Sequence, residues 1–396
     1  MSKPTQIIIA GDLFPMPCNL SLFEKGDIQA LFGSRLCEMF ASADIRICNL
    51  EGSFTDSGTP VEKAGPNIKA PTAAVNAVKE LGINFATLGN THSMDFGTQG
   101  YADTCKTLRE AGIEYFGWGD DNDHIITYRS FTHEGRRITL YNVTEQFENA
   151  PGNDHPGVNL YDEYRVCTQL KELKLQSDVL IVFYHGGIEG THYNSEVMRR
   201  RFHRMADNGA DVVISQHTHA IGEQETYNGA YLLYGQGNFC FHFREDVTPK
   251  LAEGLVLELE ISDSGIVPRP HRVLRTEYGC VYDDKQQLEE FYRRSSVHER
   301  LLNGDPAAVK EFDEGFGKDC KNWAGILLWA MRGQNDDDNQ KRKELSAQDM
   351  NEYLASQYSR QQLLVMQMFL RNEEFNELGN RIISDMLNET KYKEDQ

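Results

Sequence analysis

Short apolar runs recur through the first 245 residues, each of strand length and bounded by polar or turn-forming positions. Gln6–Ala10, Ile45–Leu50, Phe85–Gly89, Ile138–Val143, Val179–Tyr184, Val212–Ser215 and Tyr231–Gly235 predict β-strands. Amphipathic stretches between them, Pro71–Leu81, Thr98–Ala111, Tyr164–Leu175 and Ser195–Asn208, predict helices. Alternating strands and helices imply βαβ units, right-handed crossovers and a largely parallel sheet. Gly254–Ile261 and Val267–Val273 read differently, as a strand pair joined by the turn Ser262–Gly265. Beyond residue 283 the strand signals stop. Asp284–Arg300, Pro306–Phe316, Trp323–Met331, Ser346–Leu370 and Glu374–Leu387 predict helices, with an acidic loop at Asn335–Asn339. The expected organisation is an α/β domain over residues 1–283 and a helical region over 284–396.

The chemistry lies where the apolar runs end. Gly11-Asp12 follows the first, Asn49-Leu50-Glu51 closes the second and Gly89-Asn90-Thr91-His92 follows the third. His185 ends another and leads into Gly186-Gly187-Ile188-Glu189; His217-Thr218-His219 and Gly237-Asn238 follow two more. Ligands of α/β sheets bind outside the carboxyl ends of the strands, so these residues are expected to converge on one site. Each fragment alone has an ordinary structural reading, as a helix cap, an exposed loop carboxylate or a hydrogen-bonded histidine; their joint placement at strand ends is what points to a site. Carboxylates, imidazoles and an amide without thiolates suit Mn, Zn, Fe or Mg. Asp12, Glu51, Asn90, His185, His217 and His219 are enough ligands for two divalent ions, a pair that activates water and polarises a phosphoryl group. His92 is the expected proton donor to the leaving oxygen, and Asn49, Glu189 and Asn238 the expected substrate-side groups.

Composition narrows the partners. The formal net charge is −20 over 396 residues, which disfavours nucleic acid and anionic membrane surfaces as main partners. An anionic substrate would then need local cations, which bound metals supply. No run approaches the roughly 18 apolar residues of a membrane span, and the first residues lack the pattern of a signal peptide, so a cytoplasmic location is expected. The eight cysteines form no C-x-x-C pair and read as reduced, small hydrophobes. No phosphate-binding loop and no nucleophile elbow occur, and Cys240 stands where Gly235-Gln236-Gly237 would need a third glycine. His124, His133, His155, His192, His203, His242, His271 and His298 lack comparable context and read as surface or structural.

Taken together, Gly11-Asp12, Asn49-Leu50-Glu51, Asn90-Thr91-His92-Ser93-Met94-Asp95-Phe96-Gly97, His185-Gly186-Gly187-Ile188-Glu189, His217-Thr218-His219 and Gly235-Gln236-Gly237-Asn238-Phe239 resemble the bacterial CapA family of the calcineurin-like metallophosphoesterase superfamily. The resemblance spans roughly residues 6–275. It implies a four-layer α/β/β/α sandwich, metal binding by Asp12, Glu51, His185, His217 and His219, and a catalytic role for His92. The chain departs from the pattern at Phe14, in place of the histidine of an Asp-x-His motif, and at Thr91, in place of the asparagine before His92. It departs again at Gln216, in place of a further histidine, and at Gly186, in place of a tryptophan.

Three functions are compatible with these residues. The first is a metal-dependent phosphoesterase acting on a small molecule or an envelope-polymer precursor in capsule biosynthesis. The second is a non-catalytic assembly factor with a degraded site. The third is a metal-dependent enzyme acting on a glutamyl amide.

Overall fold

The computed structural model describes residues 2–56, 58–61, 66–119, 125–145, 157–241 and 251–332, and single positions between 344 and 356. Two sheets face each other. The first runs in the order Cys280–Tyr282, Gly265–Arg275, Glu253–Ser262, Thr5–Phe14, Ile45–Leu50, Phe85–Thr87, Glu114–Phe116, and Asn238–Phe241 pairs with the end of Thr5–Phe14. The second runs Gln224–Tyr227, Ala230–Leu233, Val212–Gln216, Val179–His185, Arg136–Thr144, Tyr128–His133. Thr5–Phe14, Ile45–Leu50, Phe85–Thr87 and Glu114–Phe116 are mutually parallel, as are the four strands from Arg136–Thr144 to Ala230–Leu233. Antiparallel strands close both edges of the second sheet and one edge of the first.

Strand alternation explains the layering. Ile7, Ile9, Ile138, Leu140, Ile181, Phe183, Val212 and Ile214 fill the space between the sheets. Their neighbours point the other way: Ile8 and Ala10 pack under helices on the first sheet, and Leu180, Val182 and Val213 pack under helices on the second. Strands buried on both faces carry continuous apolar runs, which is why the sequence shows runs rather than strict alternation. The result is the expected α/β/β/α sandwich. The two helices covering the second sheet, Glu163–Lys174 and Glu196–Asp207, begin at side-chain caps, Asp162 accepting from Arg165 N at 2.8 Å and Ser195 from Met198 N at 3.1 Å.

Every strand and helix expected before residue 283 is present within a few residues. Leu20–Lys25 and Ile28–Ser42 are additional helices, separated at Gly26 and kinked at Gly33, both at positive φ. The hairpin Glu253–Ser262/Gly265–Arg275 turns where expected, with Ser262 opposite Gly265. The two helices expected at Pro306–Phe316 and Trp323–Met331 are one continuous helix, Pro306–Arg332. The intervening stretch holds no proline, and a lone glycine costs a helix only about 1 kcal/mol. The acidic loop Asn335–Asn339 and the helices expected at Ser346–Leu370 and Glu374–Leu387 lie outside the described residues, single positions apart.

The chain divides into two compact units, residues 1–319 and 320–396. That division falls beyond the change of element type at residue 283, because the helix Glu289–Leu302 packs into the first unit: Phe291 joins the inter-sheet core and Val297 packs with Tyr193 and Ala308. Among the described residues no strand occurs after Tyr282, and no helix is long and apolar enough to cross a membrane.

Candidate metal centre

The parallel strands of both sheets end at the same edge, and the polar residues that follow them meet there. The Thr5–Phe14 strand shifts register between Ile9 and Asp12. Gly11 makes that step possible, since a Cβ on it would lie 2.5 Å from the Gly237 carbonyl oxygen. The step leaves Asp12 beside Asn49 on one side and Asn238 on the other.

Asn49 brackets the two carboxylates. Its Nδ2 donates to Asp12 Oδ1 at 2.8 Å and to Glu51 Oε2, while its Oδ1 accepts from Thr87 Oγ1 at 3.1 Å and Asn90 Nδ2 at 3.0 Å. Asp12, Asn49 and Glu51 are completely buried. From the second sheet, His185 Nε2 lies 3.4 Å from Glu51 Oε1, and the His185 and His217 rings are 4.8 Å apart. His219 Nδ1 lies 3.0 Å from Asp12 Oδ2 and 2.9 Å from Asn238 Oδ1.

Two groups of ligand atoms result. Glu51, His185 and His217 form one, Glu189, His217 and His219 the other, with the atoms of each group within 4.8 Å of one another. Asp12, Glu51, His185, His217 and His219 therefore converge, as the strand-end argument anticipated. Three residues take places other than those expected. Asn49 is a fully buried bracket rather than a group facing a substrate. Asn90 turns its amide into the loop: Nδ2 also donates to Leu50 O at 2.8 Å, and Oδ1 accepts from His92 N at 3.1 Å and Ser93 Oγ at 2.9 Å, which occupies both lone pairs a metal would need. Glu189, expected on the substrate side, stands with the histidines. The hydroxyl of Thr91 faces His185 Nε2 at 3.4 Å.

His92 lies beside this cluster, its Nδ1 2.7 Å from Asp95 Oδ2, which also accepts from Ile68 N at 2.6 Å. Phe241 forms a wall the sequence reading missed; its ring stacks on His219 at 5.3 Å and is 6.4 Å from His92. Asp95, at i+3 from His92, carried a local signal. Phe241 carried none, because only the fold brings it across.

The electrostatics are compatible with a cation at this centre. Burial pushes the Glu51 carboxyl well above its usual range, and the neighbouring Asp12 charge adds to this. Asp12 itself is held below the usual range, since the hydrogen bond and charge of His219 and the Asn49 amide outweigh its burial. Burial also lowers His217 to about 4 and His185 well below the imidazole range, helped by neighbouring histidines. Neutral imidazoles are the ligand form. Glu51 Oε1, which faces His185 Nε2 at 3.4 Å, is buried without a hydrogen-bond partner. A divalent ion would satisfy this donor set, so the residues fit the group the resemblance implied.

Residues 6–243 match the family described as bacterial capsule synthesis protein PGA_cap. The chain belongs to the PGA_cap family. Its relatives include the capsule biosynthesis protein CapA of Bacillus anthracis, 28% identical over 46% of this chain and 46% of that protein. Another is the PGA biosynthesis protein CapA of Bacillus subtilis, 28% identical over 42% of this chain and 45% of that one. The matches thus span under half the length of these PGA_cap relatives. Among solved structures, a hypothetical protein from Thermus thermophilus is similar with a TM-score of 0.46, 13% identity and coverage of 69% of this chain and 100% of that one. A phosphatase of Mycoplasma pneumoniae is similar with a TM-score of 0.43, 14% identity and coverage of 74% and 100%.

Proposed function

We propose that this PGA_cap chain is a metal-dependent hydrolase of phosphate esters that serves the synthesis of a capsule or envelope polymer. The observation that carries the reading is the fully buried Glu51 with His185 and His217, next to a second group built on Glu189, His217 and His219. Asp12 joins the second group through its contact with His219. Bound divalent ions at these positions would supply a nucleophilic hydroxide and polarise the phosphoryl oxygens. The protein's own residues do the rest. Asn49 fixes the two carboxylates, the neutral imidazoles of His185 and His217 stand ready as ligands, and Phe241 stacks on His219. Asp95 orients the His92 ring through Nδ1, and Nε2 is the nitrogen that would hand a proton to the departing alkoxide. The capsule context comes from the names of the Bacillus relatives.

Thr91 supports a second reading, a PGA_cap assembly factor without turnover, because a short hydroxyl faces His185 where the resemblance implied an amide ligand. One experiment separates the two. The full chain, loaded with Mn²⁺, is assayed on phosphate monoesters and diesters beside an Asp12→Asn control. Hydrolysis that the control abolishes is expected; equal rates for the two proteins across the panel rule out the hydrolase reading.

A further inference from the structure

The helix Glu289–Leu302 lies along the chain segment that follows the metal-site histidines. Arg294, 5% exposed, donates from Nη2 to the Ile221 carbonyl at 2.9 Å, with Gly222 O at 3.5 Å. The same Ile221 carbonyl lies 3.0 Å from His192 Nδ1. One residue along the helix, Ser295 Oγ accepts from Gln224 N at 3.0 Å. One turn on from Arg294, the fully buried His298 sets Nε2 2.8 Å from Glu225 Oε2 and Nδ1 3.9 Å from Glu223 Oε1. Positions 294, 295 and 298 share a helix face, so that face grips residues 221–225.

Ile221 is two residues past His219. His217 and His219 both hold positive φ, 99° and 55°, a region that side-chain-bearing residues avoid and keep only when their surroundings impose it. Two residues further on, two donors converge on the Ile221 carbonyl. Arg294 is suited to hold it: the side chain is buried, Glu290 Oε1 lies 3.6 Å from its Nη1, and its Nη2 donates to the Ile221 carbonyl. It also lies outside residues 6–243, the part of the chain that matches the family.

We propose that Arg294 is a positioning residue for the metal centre: through the Ile221 carbonyl it holds the His217–His219 turn in the conformation that aims both imidazoles at the metal position. This rests on the metal reading of the site. The test titrates Mn²⁺ into the full-length apo-protein and follows affinity and thermal melting separately. Arg294→Met should weaken Mn²⁺ binding by about 10–100-fold, the usual cost of losing an outer partner of a ligand, and Arg294→Lys should recover most of it. Val297→Ala loosens the same helix without reaching Ile221; it should lower the melting temperature and leave affinity unchanged. Wild-type affinity in Arg294→Met, or a loss in Val297→Ala equal to that in Arg294→Met, overturns the proposal while leaving the metal centre intact. If Arg294→Met does not fold, the proposal stands or falls on Arg294→Gln binding Mn²⁺ more weakly than Arg294→Lys at equal melting temperature. No Mn²⁺ binding by the wild type overturns the metal reading and this proposal together.

Discussion

Asn49 shows how one buried amide can decide the fate of two carboxylates. Its Nδ2 serves Asp12 and Glu51 together, and its Oδ1 is anchored by Thr87 and Asn90. Asn49→Ala should therefore weaken metal binding by about 10–100-fold and cost about 1–3 kcal/mol of stability through the buried partners left unpaired. Calorimetric titration with Mn²⁺ and denaturant melts check the two parts, and unchanged affinity would assign Asn49 to packing alone. His92 is the complementary case, held by Asp95 beside the candidate ligands. His92→Ala should keep its metal and lose about 10²–10⁴-fold in turnover on alkyl phosphates. Nitrophenyl esters, whose leaving group needs little protonation, should suffer less; equal losses on both substrate types would remove His92 from proton transfer. The sequence displayed all these residue types at strand ends. It did not show which would be ligands and which brackets, because that depends on where each amide finds its partners across the fold.

The elements themselves were far more legible, since double-sided burial imposes apolar runs and the helices between them are amphipathic. What escaped was the irregular backbone. The register step beside Gly11 and the positive φ of His217 and His219 leave no periodicity to read, yet they aim the side chains. Gly11→Ala should disturb the step, with the new methyl 2.5 Å from the Gly237 oxygen; overpacking of this kind costs about 1–3 kcal/mol. The variant should also bind Mn²⁺ more weakly, because Asp12 follows directly, and a melt equal to wild type would show that the strand yields freely. The sequence places the helix Glu289–Leu302 in the C-terminal helical region without showing what it packs on, because an amphipathic helix does not announce what its polar face will hold.

At the scale of the molecule, the edge strand Gln224–Tyr227 and the helix beside it share a buried polar cluster whose charge couples stability to pH. Burial opposes ionisation of Glu225, but hydrogen bonds from His203, His298 and Tyr234 prevail and lower it from 4.5 to about 2. A carboxyl depressed by folding adds stability above its unfolded pKa and loses it as pH falls towards the folded value. Melting temperature should therefore drop between about pH 4.5 and 2, and drop less steeply in Glu225→Gln; parallel curves would contradict the assignment. The net charge of −20 bears on the centre as well, because bound cations would offset the two carboxyl groups, Asp12 and Glu51, that an already acidic protein buries together. Metal content is thus the most direct measurement. After loading with Mn²⁺ or Zn²⁺ and desalting, elemental analysis should find about two ions per chain, falling to one or none in Glu51→Gln and His217→Ala. A wild-type chain that retains no metal, or variants that retain as much as wild type, would contradict the metal centre on which the proposed function depends.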